Sequence, residues 1–379
     1  MGLTKPPALE WRRLPVLGLS VVALLAGLTG ALVLLGLPMP VGTLPLAATH
    51  GVLMTLGFLG TLIALERAVA LGRTWGYAAP VGAGLGAMAL VLGLPVALGA
   101  ALLVVGGAAF VGMYVAFDRI EAALHTRVQA VGAVAWLVAA LLWLDGRPVG
   151  TIVAWLAAFL VLTVVGERLE LSRLGRPSRA ARRAFVVAAG VFCAGVAVTL
   201  VAPDLGTRIG GAGLVALAAW LSRNDLARRT VRTPGVTRFI AVCLLVGYAW
   251  LAIGGAAWIW FGAVRAGSAY DVMLHTLFLG FVISMVFGHA PVILPAVLRV
   301  PLPYHPRFYA HLLLLHAGLL LRVVGGDLLG STAAWQAGGV LNVTALLLFV
   351  VSSAVVAIGA LRGQHAGAMA ARPRRAGSR

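Results

Sequence analysis

The run LPVLGLSVVALLAGLTGALVLLGL, Leu14 to Leu37, is 24 residues long and carries no charge. Arg12 and Arg13 stand directly before it. A helix needs ~20 predominantly apolar residues to cross a bilayer core of ~30 Å, at ~1.5 Å per residue. The run meets that length and exceeds the apolar core of a cleavable signal peptide, so it reads as a first membrane helix. The same reading repeats along the chain, at 44–65, 77–94, 96–117, 128–144, 149–165, 185–201, 205–221, 239–261, 269–290, 308–324 and 335–361. The expected fold is therefore all-α: a polytopic integral membrane helix bundle of about twelve transmembrane helices.

Composition agrees. Of 379 residues, 61% are hydrophobic and 11% are charged, whereas a soluble domain carries roughly 25% charged residues. So much apolar surface requires lipid as solvent. The net charge of +18 does not point to nucleic acid, because no basic stretch carries the interleaved aromatics that stack on bases. Its placement points to membrane topology instead. With the N-terminus cytoplasmic, 25 basic residues fall on inner segments, among them Arg67, Arg168, Arg176, Arg223 and Arg372. Arg147, Arg208 and Arg265 fall outside, and Arg322 falls within the eleventh helix. The positive-inside rule then puts both termini on the cytoplasmic side.

The longest link, 166–184, reads as a basic cytoplasmic connector. The chain reads as one transmembrane domain, 1–379, divisible into halves 1–170 and 180–365. Cys193 and Cys243 lie in apolar segments and suggest neither a disulfide nor a metal pair.

Ionisable groups inside lipid are costly and mark functional sites. They concentrate in the second, tenth and eleventh helices. His50 and His275 each fall six residues into a helix running inward, ~9 Å below the outer boundary. Arg322 lies fourteen residues up the outward-running eleventh helix, ~21 Å along a ~30 Å core and so near the same level. His289 and His311 form a second layer toward the inner face, with His316 on another side of the eleventh helix and His305 in the loop between. His125 and His365 read as surface residues, and Glu66 with Arg67 as an interface pair. Asp271, one turn before His275, reads as outer-loop solvation or as a residue that orients His275. At 3.6 residues per turn, Gly57 and Thr61 share the face of His50, with Gly60 at its edge, which would leave room for a flat macrocycle. Axial histidines and an arginine for the propionates are what a heme requires. A proton relay in a secondary transporter, or plain helix packing, would also place histidines here.

Several patches resemble the NnrS family. They are HGVLMTLGFLGTLIAL (His50 to Leu65), WLSRN (Trp220 to Asn224), YAWLAI (Tyr248 to Ile253) and HTLFLGFVISMVFGHA (His275 to Ala290), followed by LLLR ending at Arg322. In that family a glutamate precedes the methionine early in the second helix; here Leu53 precedes Met54. The resemblance implies a twelve-helix protein of the bacterial inner membrane that contains heme and copper and acts in nitric oxide metabolism or resistance. His50, His275 and Arg322 would hold the cofactor. Depth, not the resemblance, makes His289 and His311 a second candidate site for a metal or heme, so the candidate metal ligands are His50, His275, His289, His311 and His316. The partners implied are the lipid bilayer, a small gaseous ligand such as nitric oxide, and an electron donor or quinone. The main subunits of heme-copper oxidases offer a fold-level analogy, with histidines on their second and tenth helices.

Overall fold

With no water in the bilayer core, a spanning segment must satisfy its amides and carbonyls within itself, which favours helices throughout. The computed structural model describes residues 10–175, 177–300 and 302–370, with only the backbone of 174 and 363–370. The described residues are helical without a strand. The principal helices are α1 (Leu14–Leu34), α2 (Val41–Leu71), α3 (Ala78–Val91), α4 (Val96–Ile120), α5 (Leu124–Leu144) and α6 (Val149–Ser172). They continue with α7 (Arg179–Val198), α8 (Pro203–Asn224), α9 (Val236–Phe261), α10 (Gly267–Leu298), α11 (Phe308–Leu328) and α12 (Thr332–Ala370). One apolar core takes side chains from all twelve. Val187, Val201, Leu313 and Val355 are more than half exposed, as expected where lipid is the solvent. The chain is a multi-pass membrane helix bundle.

Eleven helices among the described residues are long and apolar enough to cross a membrane. The exception is α3. The run at 77–94 predicts a full span, yet its α-helix is 14 residues long and follows a 3₁₀ turn at Thr74–Tyr77. It still lies closely against α4. A Cβ on Gly82 would come within 2.9 Å of the Gly106 backbone nitrogen, so glycine lets the two backbones touch.

Other boundaries also move. The expected connector at 166–184 shortens to 173–178, because α6 runs on to Ser172 and α7 begins at Arg179. Helix α10 continues through Pro291 and Pro295 to Leu298, where neighbouring helices support a backbone that proline would otherwise break. Lys5, Arg176 and the basic tail from Arg372 lie outside the described residues, as does the His365 side chain.

At the arginine-rich end the links after α4, α6 and α8 meet: Arg173 donates to Glu121 at 3.2 Å, and a Cβ on Gly175 would lie 3.5 Å from Leu226. There Arg168 is not a solvated connector charge. It is buried and forks onto Asp225 at 2.7 and 2.9 Å, and Asp225 also accepts from the Tyr248 hydroxyl at 3.0 Å. This pins the end of α6 to α8 and α9.

Three helices depart from α geometry away from that end, two of them in mid-helix. They contain π-helical stretches at Leu53–Gly60 in α2, Thr276–Ile283 in α10 and Leu321–Leu328 in α11. Such turns are uncommon and recur at functional sites.

Candidate functional site

The three π-helical stretches surround one cavity of about 730 Å³, enclosed by α1, α2, α6, α10, α11 and α12. Its walls are mainly apolar, with Leu28, Met54, Leu59, Val153, Phe278 and Leu346 among them. Its mouth at Ser268, Gly330 and Ser331 is exposed. The wider π turn sets which side chains reach it. On α10, Asp271, His275, Leu279 and Ile283 all line the cavity at intervals of four. Asp271 and His275 lie in the α-helical part of α10, and Leu279 and Ile283 in its π-helical part.

His50, His275 and Arg322 all line this cavity. His50 Nδ1 lies 2.7 Å from the Gly27 carbonyl on α1. A carbonyl only accepts, so Nδ1 carries the proton and donates, which leaves Nε2 as the acceptor. His275 repeats the arrangement: its Nδ1 is 3.0 Å from the Asp271 carbonyl and 3.1 Å from Asp271 Oδ1. Neither Nε2 has a hydrogen-bond partner among the described residues. A histidine fixed through one ring nitrogen, with the other free, is arranged as a metal-ligating histidine is.

Arg322 arrives already partnered. Its Nε and Nη2 donate to Asp271 at 2.7 and 2.6 Å, and its guanidinium sits 5.5 Å from the Trp335 ring centre. Trp335 Nε1 also donates to Asp271 at 3.3 Å. Gly338 on α12 makes this possible, since a Cβ there would meet the Arg322 backbone nitrogen at 2.6 Å. Asp271 is therefore no outer-loop residue; its carboxylate joins His275, Arg322 and Trp335. Asp327 lines the same cavity, and its Oδ2 is buried without a partner. The sequence signals of this network are the shared depth of His275 and Arg322 and the position of Asp271 one turn before His275; nothing marks Trp335 or Asp327.

The face expected to make room is different. Gly57 turns toward Ala23 and Ala87, and Gly60 toward Trp136. The π turn rotates both away, and Gly51, Met54, Thr55 and Leu59 face the cavity instead.

The second layer does not reach this cavity. His316 accepts from Trp250 Nε1 at 3.0 Å through Nδ1, and its Nε2 meets Ser284 Oγ at 3.3 Å. His311 is boxed in by Phe287, Phe308 and Phe349, and neither ring nitrogen has a partner. His289 Nδ1 is held at 2.7 Å by the Met285 carbonyl. Among the described residues no group of three or more His, Cys, Asp or Glu side chains is placed to hold a metal ion. His125 is buried, not a surface residue.

Residues 13–358 match the model of a domain of unknown function, DUF8744. The chain belongs to this family. The matched segment includes every residue lining the cavity. No curated protein matches the chain.

Proposed function

We propose that the cavity is a heme site and that the chain is a heme-binding membrane protein acting in nitric oxide metabolism or protection, as the NnrS-like patches suggest. The observation that carries this reading is the pair of histidines, each anchored through Nδ1 with Nε2 free on one large apolar cavity. Fit supports it: ligand sites span ~300–1,000 Å³ and combine apolar walls with a few polar groups. His50 and His275 would hold the heme iron through Nε2. A bound heme would supply a ferrous iron that could take nitric oxide where one of the two histidines gives way; with both held it would favour electron transfer. Arg322 with Asp271 forms a pair without net charge, so its pull on a propionate is weaker than that of a lone arginine; its first task is to hold Asp271, and through it His275. A copper ion is left out of this reading, because no group of three suitable ligands is assembled among the described residues.

We place the chain in the bacterial cytoplasmic membrane with the arginine-rich end inside, so the cavity opens outward. Reporter fusions at Gly175 should then read cytoplasmic and fusions at Gly146 external; the reverse pattern would invert the orientation.

One observation favours a proton-relay transporter: the His275–Asp271–Arg322 network lies beside Asp327, whose Oδ2 is buried without a partner. Heme content of purified protein separates the two. His50→Ala and His275→Ala should each lose most of the heme, because the apolar wall offers no substitute ligand. If both variants keep full heme with unaltered reduced spectra, axial ligation by these residues is wrong and the transporter reading takes its place.

A further inference from the structure

Away from the cavity, at the arginine-rich end, α2, α4, α5 and α6 bring ionisable groups together. Arg67 on α2 is 3.4 Å from Glu66 Oε1 and hydrogen-bonded to Glu167 on α6. Tyr114 on α4 is 1% exposed, and its hydroxyl has no partner. The charges within its electrostatic reach are Arg67, Glu167, Glu66 and Glu170. His125 on α5 places Nε2 3.7 Å from Glu170, while its Nδ1 is buried and unpartnered. Gln129, one turn farther along α5, packs beside Gly166, and its Nε2 is also unpartnered. Arg173 and Glu121 are the remaining charges near His125. Helices α1 and α10 close this end of α2 with apolar contacts, Val16 and Val297 against Leu65.

Two features need one explanation. Two carboxylates share one guanidinium, which leaves a negative charge over in a poorly hydrated place, and such a charge is costly. A hydroxyl, an amide and an imidazole nitrogen are buried here without partners, although buried polar groups are normally paired. A metal cation would answer the charge but meets repulsion from Arg67. A proton neutralises the spare carboxylate and takes no room, and a few buried waters would partner the rest. We infer that Glu66 and Glu167 share one transferable proton in a hydrated pocket beside Arg67, lined by Tyr114, His125 and Gln129. Glu66 and Glu167 are themselves part-buried, with 23% and 17% of their side chains exposed, so protons can reach them from the arginine-rich end. This site is independent of any heme and uses none of the cavity residues.

Infrared spectra of the full chain in detergent, recorded across pH, test it. Exposed carboxyls are ionised by about pH 6. The wild type should retain a carboxylic-acid band above that pH, and the band should shift in heavy water. Glu66→Gln and Glu167→Gln should each abolish it, because the carboxylate left behind pairs with Arg67 unprotonated. The exposed Glu121→Gln should not change it. Should the glutamine variants fail to fold, Tyr114→Phe keeps the packing and removes one hydroxyl from the pocket. It should move the pH at which the band disappears, and an unmoved midpoint counts against the site. A wild type without the band above pH 6, or a band intact in both glutamine variants, overturns the inference.

Discussion

The histidines on the cavity wall and the two on α11 look alike in sequence but differ in their ring nitrogens, while His289 on α10 is also held at Nδ1 but has its free Nε2 buried away from the cavity. His50 and His275 are each held at Nδ1 and open at Nε2. His316 is closed at both nitrogens by Trp250 and Ser284, and His311 sits among phenylalanines with no room in front of either. Burial alone therefore does not mark a binding histidine. What sets His50 and His275 apart is one satisfied nitrogen, one free nitrogen and the cavity beyond.

That difference can be broken most severely at Asp271. Asp271→Ala leaves Arg322 buried without its partner and His275 without its side-chain acceptor. Removing one member of a buried pair costs ~3–5 kcal/mol, which should appear as a large fall in thermal unfolding temperature in detergent. An Asp271→Leu, Arg322→Met double variant should recover much of that loss. An Asp271→Ala protein as stable as wild type would mean that the network does not hold the cavity together.

A smaller effect is expected at His316. His316→Phe strands Trp250 Nε1, and an unsatisfied buried donor costs ~1–3 kcal/mol. Heme content should stay at the wild-type level, since neither His316 nitrogen is free; loss of heme there would erase the distinction between the two histidine groups. The smallest effect belongs to His311. Its two nitrogens have no partners to lose, so His311→Phe should stay within ~1 kcal/mol of wild type, again with heme unchanged. A loss of several kcal/mol would reveal an interaction absent from the aromatic box described here.

The membrane fold was legible because length and apolarity translate directly into spans: α1 and α4 begin where their runs predict. α3 was overestimated, because apolar residues at 92–94 form a turn rather than a last helical turn. In the site, depth counting brought His50, His275 and Arg322 to one level, and all three line one cavity. Facing was less legible. Counting Gly57 onto the His50 side assumes 3.6 residues per turn, and the π-helical stretch at Leu53–Gly60 breaks that assumption. Nothing in the spacing announces a π turn. Partnering was hidden too. Asp271 and Arg322 are 51 residues apart in sequence, and Arg168 meets Asp225 only because α6 outruns its apolar segment. For that reason charges assigned to surfaces, among them Arg168 and His125, turned out to be buried.

The central claim is that the cavity holds a heme between His50 and His275. Optical spectra of the purified full chain, oxidised, reduced, and reduced with nitric oxide added, test it most directly. The account predicts a Soret band that moves on reduction and moves again with nitric oxide, and that is lost in His50→Ala and His275→Ala. A protein supplied with heme during expression that shows only aromatic absorbance would contradict it.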